Sequence, residues 1–176
     1  MYDEKTLIRE CIAGNRRAEK QLYDKYSALF LGICLRYADS REEAEDMLVS
    51  GFMRIFTHLS DYEGKGSFEG WMKRLMVSQA VDEVRKRKPQ PEPLTEAQAV
   101  AEGDGILQPL ARLQARDVVK ALRHLPEAQR SVFSLSVIDG YAHREIARML
   151  SITEGAVRVY LHKAKRKLQV LLKEYE

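Results

Sequence analysis

The sequence predicts an all-α protein of two small helical domains joined by a flexible linker, the C-terminal one with a helix-turn-helix. Three observations carry that prediction. Apolar residues recur at three- and four-residue spacing along most of the chain, and no run alternates with the period of two that marks a strand. Pro89–Pro109 breaks that pattern with a stretch rich in Pro, Ala, Gly and acids, too long for an ordinary connection inside a compact domain. Tyr141–Leu172 then reads as a short helix, a tight turn and a longer basic helix. The implied division is a first domain over residues 1–88, a linker over 89–113 and a second domain over 114–176.

A chain of 176 residues has room for one moderate domain or two small helical ones. Its formal net charge of +3 is a mild basic bias, but the charges are sorted. Acids gather between Asp39 and Asp46 and bases gather in the last helix, which implies two different partner surfaces. Met1–Glu10 is charged and unlike a signal peptide, and no segment reaches transmembrane length, so a cytoplasmic location without membrane insertion is expected. Cys11 and Cys34 form no CxxC pair and lie near no histidine cluster. Both read as reduced, buried small hydrophobes, and no metal or other cofactor is expected.

In chain order, Thr6–Ile12 is a brief apolar helix that breaks near Gly14 and Asn15. The next helix carries Leu22, Tyr26, Leu29, Phe30, Ile33 and Tyr37 on one face, a core pattern. Asp39 and Ser40 mark a turn and a cap. The helix that follows turns Ala44, Met47, Leu48, Phe52, Ile55, Phe56 and Leu59 inward, with Glu42, Glu43, Glu45 and Asp46 near its start, where the helix dipole favours negative charge. A metal or acid/base site is the enzymatic alternative for these carboxylates. Adjacent carboxylates on one turn diverge, and no partnering His or Lys constellation accompanies them.

Leu59–Ser67 is a polar loop whose Gly64 and Gly66 lack the Gly-Lys-Ser/Thr ending of a phosphate loop. The helix after it buries some of Phe68, Trp71, Leu75 and Met76 and exposes Lys73, Arg74 and Arg85–Lys88. Aromatic side chains beside a loop and a basic face suit an unstacked base and its backbone, while core packing explains Trp71 taken alone.

Past the linker, Leu110–Leu125 forms a helix with Val118, Val119, Leu122 and Leu125 as its apolar set, ended by Pro126. Glu127–Ile138 forms a second, and Asp139-Gly140 turns into the helix-turn-helix. There Ile146, Ala147 and Leu150 share a face, the helix stops at Ser151, Ile152 pins the turn and Thr153 caps the next helix. Val157, Leu161, Ala164, Leu168 and Leu171 or Leu172 make one apolar stripe. Arg158, His162, Lys163, Lys165, Arg166 and Lys167 lie opposite, and no acid interrupts Gly155–Lys173. Such a helix can neutralise phosphates and reach base edges; a solvated face on a helical hairpin is the simpler alternative.

Both halves resemble the extracytoplasmic-function group of bacterial sigma factors. The resemblance rests on LYDKYSALFLGICLRY, EEAEDMLVSGFMRIF and YEGKGSFEGWMKRLMVSQAVDEVRKRK in the first half and on ALRHLPEAQRSVFSLSVIDGYAHREIARMLSITEGAVRVYLHKAKRKL in the second. It implies domains of the sigma-2 and sigma-4 type that bind core RNA polymerase and direct it to promoter DNA, with no active site of their own. By the same resemblance Glu45, Asp46, Met47, Phe52 and Ile55 face the polymerase. Lys65, Ser67, Trp71, Arg74, Ser78 and Gln79, with Asp82, meet the non-template strand at the −10 element. Thr153, Arg158, Val159, His162 and Lys163 meet the −35 duplex, and Lys165 and Arg166 its phosphates. An anti-sigma factor that occludes both domains is a further partner the resemblance allows. The chain departs from the family pattern at Val49 and Ser50, where Gln and an acid are usual, at Ser78, where Asn is usual, and at Ser151, where Gly is usual. Two other readings stand beside this one: a conventional helix-turn-helix regulator that binds duplex without polymerase, and a metal-dependent nuclease using Glu42–Asp46.

Overall fold

The computed structural model describes residues 1–87 and 114–173. The expected linker and the expected helix start at Leu110 lie outside the described residues. All regular structure among the described residues is helical, and the chain divides into two units, Met1–Val84 and Arg85–Glu176.

In the first unit, α1 (Glu4–Ile12) starts where the Asp3 carboxylate accepts the Thr6 N–H at 3.0 Å and the Thr6 hydroxyl at 2.9 Å. Gly14, at φ 75°, turns the chain out of α1. Asn15 then caps α2 (Arg16–Tyr37), its side-chain oxygen accepting the N–H groups of Arg17 and Ala18. Leu22, Tyr26, Phe30, Ile33 and Tyr37 enter the core as their spacing requires. Leu29 does not: it is 42 % exposed, because it lies at the edge of that stripe where the helix turns to solvent.

α3 (Arg41–His58) is capped by Ser40, whose hydroxyl accepts the Glu43 N–H at 3.1 Å, while the Glu43 carboxylate accepts the Asp39 N–H at 2.7 Å. One of the clustered acids is thereby committed to building the helix start. Ala44, Met47, Leu48, Phe52, Ile55 and, just past the helix, Leu59 are buried; Phe56 is only half-buried. Phe52 lies 4.7 Å from Tyr23 and 5.6 Å from Phe30, ring centre to ring centre, so α2 and α3 meet through aromatic pairs. Each such pair adds about 0.5–1.5 kcal/mol beyond the area it buries.

α4 (Phe68–Lys86) buries Phe68, Met72, Met76, Val77, Ala80, Val81 and Val84 and leaves Trp71 and Leu75 half-buried. Its sulfur-bearing side chain at Met76 fills the space over Gly51, where a Cβ would come 2.2 Å from Met76 Sδ. The same sulfur lies 3.6 Å from Cys34 Sγ, so α2, α3 and α4 converge there. Burial pushes the Cys34 thiol up to about 12. Burial, with Glu19 and Glu10 nearby, pushes Cys11 up to about 11; both cysteines are free and buried.

The second unit contains α5 (Ala115–Arg123), α6 (Glu127–Phe133), α7 (His143–Leu150) and α8 (Glu154–Lys173). Leu122 and Leu125 are buried, Val118 and Val119 half-buried, and Pro126 separates α5 from α6. The expected helix Glu127–Ile138 is two structures: α6, then a π-helical turn over Ser134–Ile138 in which the Ser134 carbonyl accepts the Asp139 N–H at 2.9 Å. Gly140, at φ 76°, redirects the chain toward α7, and both α6 and α7 pack on α8.

Candidate nucleic-acid interface

The helix-turn-helix is built by local hydrogen bonding. The Glu145 carboxylate accepts the Ala142 N–H at 2.8 Å at the start of α7; Ala142 has no side-chain oxygen to return the bond. At its end Ser151 takes the left-handed conformation, φ 56° and ψ 43°. The Ile152 N–H reaches the Ala147 carbonyl at 3.0 Å and the Ser151 N–H the Arg148 carbonyl at 3.4 Å, a Schellman closure usually made by glycine. Ile152 is half-buried in the turn, and Thr153 Oγ1 accepts the Ala156 N–H at 3.1 Å to start α8.

Val157, Leu161, Ala164, Leu168 and Leu172 turn α8 inward. Arg158, Arg166 and Lys167 are exposed on the other side, and His162, Lys163 and Lys165 are half-buried. His162, Lys163, Arg166 and Lys167 line, with Gln129, a cleft of about 210 Å³ that concentrates positive charge. Val159, expected to meet the −35 duplex, is only 7 % exposed, on a flank of α8 shared with the buried Ala156 and Tyr160. Thr153 is exposed, with its hydroxyl engaged in the cap.

In the first unit the loop between α3 and α4 has a defined shape. A 3₁₀ turn over Leu59–Asp61 leads to Tyr62, whose hydroxyl donates to the Gly66 carbonyl at 2.9 Å across the loop. Gly64 and Gly66 both sit at φ 74°, a left-handed conformation that glycine adopts without strain. The Tyr62 ring lies 5.1 Å from Phe68 and 5.4 Å from Trp71, and Phe68 and Trp71 are nearly parallel at 6.0 Å. Phe68 is buried beneath this cluster, while Tyr62 and Trp71 stay half-exposed.

Trp71, Arg74, Ser78 and Arg85 follow one another at helical spacing along one ridge of α4, with Arg74 and Arg85 exposed and Ser78 half-buried. Lys65 projects from the loop, paired with Glu63 at 2.5 Å. Ser67 accepts the Gly70 N–H at 3.0 Å, so its hydroxyl caps α4. Gln79 belongs to a polar group that joins α3 to α4. Arg54 donates to Asp82 at 2.6 Å and to Gln79 Oε1 at 3.3 Å, and Gln79 Nε2 donates to Glu83 at 3.0 Å. Sequence reading passed over Arg54 because its partners lie 25 and 28 residues away, beyond any local pattern.

On α3, Met47, Phe52 and Ile55, expected to face a partner, are 2, 3 and 0 % exposed. They face α2 and the unit's core. The solvent face of α3 carries Glu42, Glu45, Asp46, Val49 and Met53, acidic near the helix start and apolar beyond it, with Val49 and Met53 52 and 65 % exposed. Glu45 pairs with Arg41 at 2.8 Å, and among the described residues no three His, Cys, Asp or Glu side chains are grouped as a metal site. No helix among the described residues is long and apolar enough to cross a membrane.

Comparison with known proteins matches residues 22–90 to Sigma-70 region 2 and residues 115–168 to Sigma-70, region 4. The chain is 27 % identical to the RNA polymerase sigma-H factor of Pseudomonas aeruginosa, over 97 % of this chain and 96 % of that protein. It is 25 % identical to the ECF RNA polymerase sigma factor SigW of Bacillus subtilis, over 97 % of each chain. Among solved structures, CnrH in complex with the cytosolic domain of CnrY shares the fold at a TM-score of 0.52 and 22 % identity, over 98 % of this chain and 99 % of that one. The sigma factor RpoE of Bartonella quintana, in complex with the anti-sigma factor NepR, does so at 0.51 and 19 %, over 88 % and 96 %.

Proposed function

This chain belongs to the extracytoplasmic-function group of bacterial sigma-70 factors and is an alternative sigma factor, and from that premise we propose how its surfaces divide the work of starting transcription. The face of α3 bearing Glu42, Glu45, Asp46, Val49 and Met53 docks on core RNA polymerase. The α8 face at Arg158, His162 and Lys163 meets duplex DNA at the −35 element, with Lys165 and Arg166 on phosphates. The latched loop and the α4 ridge take the non-template strand at the −10 element, where Lys65 and Arg74 hold the backbone and Trp71 offers its ring to an unpaired base.

The observation that carries this reading is the half-exposed Tyr62–Trp71 cluster beside a basic ridge, in the same chain as a helix-turn-helix with a basic outer face. A base leaving the duplex loses its stacking, and an aromatic platform returns about 1–3 kcal/mol per base. Strand opening is then favoured where the platform is held, and the −35 contact decides where that is. The protein supplies binding and orientation, not a reacting group, and it works in the cytoplasm. One solved neighbour is a sigma factor in complex with the anti-sigma factor NepR, and an anti-sigma factor covering these same surfaces is part of the proposal.

The test is run-off transcription with purified core polymerase on a genomic promoter library. Wild type is expected to give discrete start sites, and Met53→Asp to abolish them while keeping the helical circular dichroism spectrum. Wild-type duplex binding without any polymerase-dependent transcript would overturn the proposal in favour of a stand-alone regulator.

A further inference from the structure

We infer that Arg54 is a positioning residue that orients the Gln79 amide so that it reads an adenine within the −10 element; this rests on the strand-capture reading above. Arg54 reaches from α3 to α4 and is held there by Asp82 at 2.6 Å, with both side chains about one-third exposed. Its charge is therefore balanced within the protein, and its position needs no nucleic acid. The same guanidinium nitrogen donates to Gln79 Oε1 at 3.3 Å, and on the other side Gln79 Nε2 donates to Glu83 Oε1 at 3.0 Å.

The chemistry of the two neighbours leaves one orientation. A guanidinium only donates, so the amide atom facing Arg54 is the oxygen; an ionised carboxylate only accepts, so the atom facing Glu83 is the nitrogen. An exposed glutamine without such neighbours turns over and offers oxygen or nitrogen to either side. Held between them, Gln79 keeps one lone pair and one N–H for a further partner. That donor and acceptor pair is the complement of the N7 and N6 edge of adenine. Gln79 stands eight residues beyond Trp71, about 12 Å along α4, so it meets a different nucleotide from the one at the aromatic cluster.

The experiment is open-complex formation by reconstituted holoenzyme on a promoter library randomised through the −10 element. Wild type should show an adenine preference at one position that Gln79→Leu reduces by about tenfold. Arg54→Met should remove preference at that same position, and should remove nothing further in the Gln79→Leu background. Glu83→Gln removes the acceptor on the other side and leaves the Arg54–Asp82 pair, so the donor-only guanidinium still faces the amide oxygen. It should keep the adenine preference, with unchanged thermal stability and polymerase binding, so the inference stays testable if Arg54→Met fails to fold.

Loss of the preference in Glu83→Gln as complete as in Gln79→Leu, or a loss spread evenly over all −10 positions in Arg54→Met, would sink the inference. A −10 preference untouched by Gln79→Leu would sink it while leaving strand capture intact. Absence of any −10 sequence dependence in the wild type would instead remove the reading on which it rests.

Discussion

Ser151 shows how much a single backbone angle can be read in advance. A helix that must stop, reverse and restart within three residues needs a left-handed position, and the chain places a serine there at φ 56°. An L-residue with a Cβ is strained in that region by about 1–2 kcal/mol, of which glycine's greater freedom in the unfolded chain takes back about half. Ser151→Gly is therefore expected to stabilise the second unit by about 0.5–1 kcal/mol, visible as a higher urea midpoint. Thr153 was legible for the same reason, because a cap is a matter of three or four consecutive residues. Val159 was not, because its burial depends on what covers a flank of α8 and not on its neighbours in sequence. The two thiols carry a pH dependence of definite sign. Their folded values, about 11 and about 12, lie above the ordinary 9.0, so their contribution is intact below pH 9 and is lost as pH rises through those values. Stability measured by urea unfolding should fall over that window, and less steeply in Cys34→Ala.

Among the elements, α3 is where two ways of reading the sequence conflicted. Helical spacing put Met47, Phe52 and Ile55 inward, whereas family resemblance assigned them to a partner; the structure agrees with the spacing. A motif aligned by position singles out a helix but not which of its faces is already occupied by the core. Gly51 marks the tightest point of that helix, with Met76 seated over its Cα. Gly51→Ala gains about 1 kcal/mol of helix propensity but pushes a methyl into a buried sulfur that already touches Cys34. A net loss of about 1 kcal/mol is expected on thermal melting, largely recovered in the Gly51→Ala, Met76→Val double variant. The π turn at Ser134–Ile138 escaped the sequence reading because polar and apolar residues alike are buried from Gln129 to Leu135, so no one-sided apolar stripe is left to show the extra residue. The aromatic cluster escaped it in part: Trp71 alone looked like core, and only its placement beside Tyr62 leaves both rings half-exposed.

For the molecule as a whole, the modest charge of +3 hides its arrangement. The solvent face of α3 is acidic toward its start, while the outer face of α8 is basic over most of its length. That sorting was plain in the sequence, since it needs only the order of residues. Which bases touch what was not, since half-burial of His162, Lys163 and Lys165 is a property of the folded unit. Lys165→Ala should weaken −35 binding on every sequence alike and lower the slope of log affinity against log salt by about 1, as loss of one phosphate contact requires. Arg158→Ala should instead flatten preference among −35 sequences, read from binding to a randomised duplex set.

The bond from the Tyr62 hydroxyl to the Gly66 carbonyl bears on time as well as shape. A loop tied across its own mouth loses its conformational freedom when the protein folds, so little is left to lose when a strand arrives. On the proposed reading, strand capture on such a surface is expected to proceed in a single kinetic phase, without a slow loop-ordering step. How long the strand stays is then set by stacking, and differences between promoters are felt at departure more than at arrival.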